Sequence, residues 1–83
     1  MSILPTVHLN GTGRKMLMDG YLAAHDAVQN AIEKLAKVEF HARDYYVHPD
    51  PEAYNKARAQ RDAQFAKLEA VRAELQAVLE HLS

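Results

Sequence analysis

The sequence predicts an all-α fold: a two-helix antiparallel hairpin with an extended N-terminal arm, assembling into a helical-bundle homo-oligomer. Three observations carry this reading. Apolar residues recur at alternating spacings of three and four over two long stretches, the pattern of helices packed lengthwise on other helices. Between those stretches lies a short segment that ends in a proline-led helix start. The chain has 83 residues, enough for one domain with little core to spare, yet its apolar residues spread wider than one hairpin would bury.

Residues 1–11 read as an extended arm. The Leu4-Pro5 step favours extended backbone, and Ile3, Leu4, Val7 and Leu9 are apolar enough to dock on a neighbouring surface. Helix one is expected over 12–38, with Thr12 as its N-cap. Its seam runs through Leu17, Tyr21, Ala24, Val28, Ala31, Leu35 and Val38. Gly20 falls inside this helix, where glycine costs about 1 kcal/mol relative to alanine.

Residues 39–49 form the loop. Helix two is expected over 50–82, with Asp50 as cap, Pro51 at the first helical position and Glu52 near the positive end of the helix dipole. Its stripe passes through Tyr54, Ala57, Phe65, Leu68, Val71, Leu75, Val78 and Leu82. Arg61 interrupts that stripe. An arginine there is expected at a rim or paired with a carboxylate, and less often reaches a ligand. The whole chain therefore reads as a single helical-hairpin domain, 1–83.

Helices of roughly 26 and 32 residues would be about 39 and 48 Å long. Met16, Met18, Leu22, Ile32, Ala36 and Leu79 widen the apolar face beyond one stripe, which calls for helices from another copy, a homodimer or higher. In one hairpin the start of helix one and the loop lie at opposite ends. An antiparallel partner would bring one chain's N-terminal motif beside the other chain's loop.

Composition narrows the function classes. There is no cysteine, so disulfides and thiolate metal sites are excluded. The formal net charge of −1 argues against duplex nucleic-acid binding, which usually needs a basic excess. No apolar run approaches the ~18 residues of a membrane helix, and the N-terminal residues lack the pattern of a signal peptide, so no membrane association is expected. His41, Asp44 and His48 match no strong zinc spacing, so no metal or other cofactor is expected. His25 and Asp26 are adjacent on a helix and are expected on different faces, which does not support a catalytic pair. The only serines are Ser2 and Ser83, so no serine nucleophile with a base is readable and the chain reads as non-enzymatic.

Two motifs remain. "NGTGRK" sits at a helix start, where free N–H groups and the dipole favour an anion. Arg14 and Lys15 add positive charge, and Asn10 and Thr12 offer side-chain hydrogen bonds. The structural alternative is a glycine turn with a threonine cap. "RDYY" is unusual for a turn, which needs no adjacent tyrosines. Arg43 suits a phosphate, Asp44 suits a ribose hydroxyl or an exocyclic amine, and Tyr45 and Tyr46 offer stacking faces. Together they suit a nucleotide-like ligand. The alternative is an internal brace, in which Arg43 pairs with Asp44 or a helix end and the tyrosines cap the hairpin core.

With "LNGT" at Leu9 to Thr12 and "RDYY" at Arg43 to Tyr46 followed by Pro49, the chain resembles a group of small helical proteins encoded in bacteriophage genomes. A glycine often precedes the arginine in that group, whereas here the residue is Ala42. The plan is similar to that of other small phage hairpin proteins that oligomerise and sequester nucleotide immune signals. The resemblance implies a binder of a cyclic oligonucleotide or cyclic ADP-ribose-type signal that blocks host antiviral defence in the bacterial cytoplasm. The alternative is a phage structural or adaptor protein that binds a protein partner.

Overall fold

The computed structural model describes residues 3–5 and 13–83. Two long helices, α1 (Arg14–Ala36) and α2 (Ala53–Leu82), pack against each other, joined by a segment containing one 3-10 turn, Ala42–Tyr45. They run antiparallel: Arg14 shares a groove with Ser83, while Leu35 at the other end meets Arg61. No strand occurs among the described residues, and no described helix is long and apolar enough to cross a membrane.

Both helices are shorter than the sequence pattern suggested. Thr12 and Asn10 lie outside the described residues. The residue at the start of α1 is Gly13, in extended conformation and without a side-chain cap. At the far end the backbone tightens to three-residue bonds, Lys37 N–H to the Lys34 carbonyl and Val38 N–H to that of Leu35, both 3.1 Å. Such tightening satisfies carbonyls left over at a helix end. Helix two was expected from residue 50, but regular α-helix begins at Ala53. Residues 50–52 form a turn in which the Asp50 carboxylate accepts the Glu52 N–H at 2.9 Å and the Asp50 carbonyl accepts the Ala53 N–H at 3.1 Å. Asp50 thus caps the turn that leads into the helix. The pyrrolidine of Pro51 has no N–H to leave unsatisfied there.

The α1 seam also shifts. Tyr21, Val28 and Leu35 are half-buried as expected, but Ala24, Ala31 and Val38 are exposed. His25 and Ile32 are half-buried in their place. The apolar arc of α1 is wide enough to hold two overlapping stripes, and α2 lies along the one that includes residues 25 and 32. On α2 the half-buried line includes Phe65, Leu68, Leu75 and Leu79, and Val71, expected on it, is exposed. Among the described residues only Ala53, Val78 and Leu82 are buried, Leu82 the most completely.

At the terminal end Pro5 lies against α2. Its carbonyl accepts a hydrogen bond from His81 Nε2 at 3.1 Å, which requires the proton on that nitrogen.

Candidate functional site

The apex is built on aromatic packing. Phe40, Tyr45 and Tyr54 form a triangle with ring centroids 5.4–6.1 Å apart, within the range where tilted and offset rings attract. Arg61 lies over two rings, 5.4 Å from the centroid of Phe40 and 4.9 Å from that of Phe65. Its guanidinium also donates to the Leu35 carbonyl at 3.4 Å, in the last turn of α1. A cation is favourable at that negative helix end. Arg61 is therefore neither a rim residue nor half of a carboxylate pair: it joins the aromatic cluster to the end of the first helix.

This packing divides the "RDYY" motif. A 3-10 turn has three residues per turn, so residues three apart share a side. Ala42 and Tyr45 are the half-buried pair. Arg43, Asp44 and Tyr46 point outward, with Tyr46 77% exposed and the next residue, Val47, 94% exposed. Neither Arg43 nor Asp44 is ion-paired among the described residues. Tyr45 packs as the brace alternative has it, whereas the Arg43–Asp44 pair that this alternative allows is absent among the described residues.

The turn after the apex is held by a polar relay. His48 Nδ1 accepts the Asp50 N–H at 3.0 Å, and Lys56 donates to the Asp50 carboxylate at 2.6 Å. The hydrogen bond from Lys56, then that from the Glu52 N–H, hold the Asp50 carboxyl below its ordinary pKa, with a smaller contribution from His48. A lowered folded-state pKa contributes stability above the unfolded value and loses it as pH falls through the folded one. Asp50→Ala is expected to lower the Tm modestly at neutral pH. The difference from the native chain should shrink below about pH 3.8 and vanish once the folded carboxyl is protonated. Thermal melts at a series of pH values check this. A difference that persists at the acid end would mean that Asp50 acts through something other than its charge.

The second candidate region is at the opposite end. Arg14 and Lys15 stand at the rim of an open groove of about 820 Å³ between the start of α1 and the end of α2. Its floor is apolar, with Met18, Leu22 and Leu79, and its rim also carries Asp19, Asp26 and Glu80. Lys15 donates to Asp19 at 2.9 Å, and that hydrogen bond, followed by the Asp19 charge, raises the lysine pKa. Both groups are exposed. His25, expected to face away from Asp26, approaches its carboxylate to 3.5 Å on the same rim. That distance is at the outer limit of a hydrogen bond.

Arg14 and Lys15 are thus brought together, and so are Arg43, Asp44 and Tyr46. The two groups are separated by the length of α1, about 34 Å for 23 residues. Two further grooves run along one side of the helix pair, the first with Gly20, Ala24 and Leu75 and the second with Leu35, Lys67 and Leu68. No apex residue lines any of the three grooves. Among the described residues no three His, Asp or Glu side chains are grouped to hold a metal ion. The sequence reading does not name Phe40, places Tyr54 on the stripe of the second helix without a role at the apex, and takes up His25 only to set aside a catalytic pair with Asp26. An aromatic at each edge of the loop, with Arg61 two turns further along, was the available signal for the first two. Comparison with family models, curated proteins and solved structures finds no match for this chain.

Proposed function

We propose that this is a non-enzymatic binding protein that works as a homo-oligomer and uses Arg43, Asp44 and Tyr46 at its apex to hold an anionic, nucleotide-like molecule. The observation that carries this reading is the division of "RDYY". Tyr45 anchors the turn in the aromatic cluster, and the three groups suited to phosphate, ribose and base are left outward and unpaired among the described residues. The apex projects and has no walls of its own, so a tight site needs a second chain beside it. In an antiparallel assembly that chain would bring its terminal end level with the apex. With the resemblance to phage hairpin proteins, the proposed role is sequestration of a nucleotide-derived immune signal in the cytoplasm of a bacterial host.

The test is calorimetric titration with cyclic dinucleotides and ADP-ribose derivatives. Arg43→Ala is expected to leave the Tm nearly unchanged, because the side chain is exposed, and to weaken binding tenfold or more, about 1.4 kcal/mol. A lowered Tm with no binding heat across the panel would instead make Arg43 a structural residue.

A second reading is an adaptor that binds a protein partner. It is favoured by the side-by-side exposure of Tyr46 and Val47, an outward apolar patch. Binding of a protein partner that is lost in Tyr46→Ala, with no response to nucleotides, would select it.

A further inference from the structure

The two broad sides of the hairpin differ in what they present. One carries the terminal groove, whose rim holds Arg14, Lys15, Asp19, Asp26 and Glu80. The other carries the two smaller grooves, and along it α1 presents a lane of small and apolar residues, Gly20, Ala24, Ala27, Ala31 and Val38, all exposed, with the exposed Lys34 between the last two. Val71 of α2, 43% exposed, continues the apolar surface. Among the described residues a Cβ at Gly20 would meet nothing within 4 Å, so packing within these residues does not require glycine there. Mid-helix glycine is unfavourable, and small residues in a row allow another helix to approach closely.

The exposed surface is large for a chain of this mass. A folded monomer of 9.3 kDa is expected to expose about 5,000 Å², whereas this chain exposes 6486 Å². The excess, about 1,500 Å² per chain, matches the share one subunit contributes to an obligate homodimer, which buries about 2,000–5,000 Å² in total. Two helices side by side also make one layer, and a stable core needs two.

We infer that a second copy of this chain lies face to face on the side that carries this small-residue lane, antiparallel, with α1 against α1 and α2 against α2. The charges fix the direction. Lys67 lines a groove on this side, and Glu74, two turns further along α2, lies at the same edge. Neither is ion-paired within the chain among the described residues. A two-fold axis crossing α2 between Ala70 and Val71 sets each Lys67 opposite the partner copy's glutamate. On α1 the lane is symmetric in the same way, Gly20 with Ala31 and Ala24 with Ala27, about a midpoint between His25 and Asp26. Tyr21 shares a groove with Leu75, and Leu35 shares one with Leu68. The two midpoints therefore lie abreast to within about one helical turn. A parallel copy would set lysine against lysine and glutamate against glutamate.

This deepens the oligomeric part of the functional reading and is independent of the ligand. A failed nucleotide titration leaves it standing, and a monomeric protein sinks it whatever the apex binds. The experiment combines mass in solution with directed cross-linking, which the absence of native cysteine makes clean. The native chain is expected to sediment at twice 9.3 kDa or an even multiple of that. Ala27→Glu should reduce the mass by half or more, and Leu22→Glu on the side of the terminal groove should not. Co-expressed Gly20→Cys and Ala31→Cys chains should be joined by a short bis-maleimide. Gly20→Cys alone should not, because antiparallel pairing holds the two copies of that residue about 16 Å apart along the axis. Should Ala27→Glu unfold the chain, the cross-linking pattern still decides. A 9.3 kDa native species, an odd-numbered assembly, loss of assembly in Leu22→Glu alone, or cross-linking of Gly20→Cys to itself would overturn the proposal.

Discussion

Val28→Asp is expected to lower the Tm of the protein by more than 10 °C and to leave much of the chain unfolded at physiological temperature. Val28 is half-buried near the middle of the α1 seam, among the apolar side chains that face α2. A carboxylate there loses hydration without gaining a partner, and an unpaired charge in such a position costs on the order of 3 kcal/mol. A domain of this size has about 4–12 kcal/mol of stability to lose. Each kcal/mol moves the Tm by about 4–8 °C in this size range. The control is Asn30→Asp, which adds a charge two residues along on an exposed position. It should melt within a few degrees of the native chain. Circular dichroism melts of both variants decide the matter. An unchanged melt for Val28→Asp would mean that the seam does not pack as described.

Arg61→Ala is expected to have the second-largest effect, a loss of about 2–3 kcal/mol. Its side chain makes three contacts at once: two aromatic faces and a carbonyl at the end of α1. A partly desolvated cation over an aromatic ring is worth about 0.5–2 kcal/mol, and a hydrogen bond from a charged donor about 1.5–3 kcal/mol. These share one side chain and do not simply add. Arg61→Lys should recover only part of the loss, because an ammonium cannot lie flat between Phe40 and Phe65 while reaching the carbonyl. Urea titration of the three proteins gives the order native, lysine, alanine. Equal stability of lysine and arginine would reduce the role of Arg61 to charge alone.

The hairpin itself was legible in the sequence because its signals are redundant. Two helical periods, an Asp-Pro helix start and a short intervening segment all say the same thing. The exact seam was not. Ala24 and Ala31 fit the heptad on α1 as well as His25 and Ile32 do, and hydrophobicity prefers alanine to histidine. Only the position of α2 selects between them. Arg61 stood out as a charge on an apolar stripe, but its partners are rings and a carbonyl, which charge-matching along the sequence does not find. The division of labour between Tyr45 and Tyr46 was equally hidden. Adjacent residues of the same type differ only in the direction a 3-10 turn gives them, and that direction is set by Phe40 and Tyr54.

The clasp at the apex also bears on the order in which the chain folds. The Leu35–Arg61 contact closes a loop of 26 residues, whereas the Pro5–His81 contact closes one of 76. Loop-closure entropy makes the shorter loop cheaper by about 1 kcal/mol. Every contact between the helices on the way to the termini then encloses an already closed turn. The apex is the natural nucleus, and α1 and α2 zip from it toward Arg14 and Ser83. Arg61→Ala should therefore act mainly by slowing folding. Changes around Val78 and Leu82, which come together last, should act mainly by hastening unfolding.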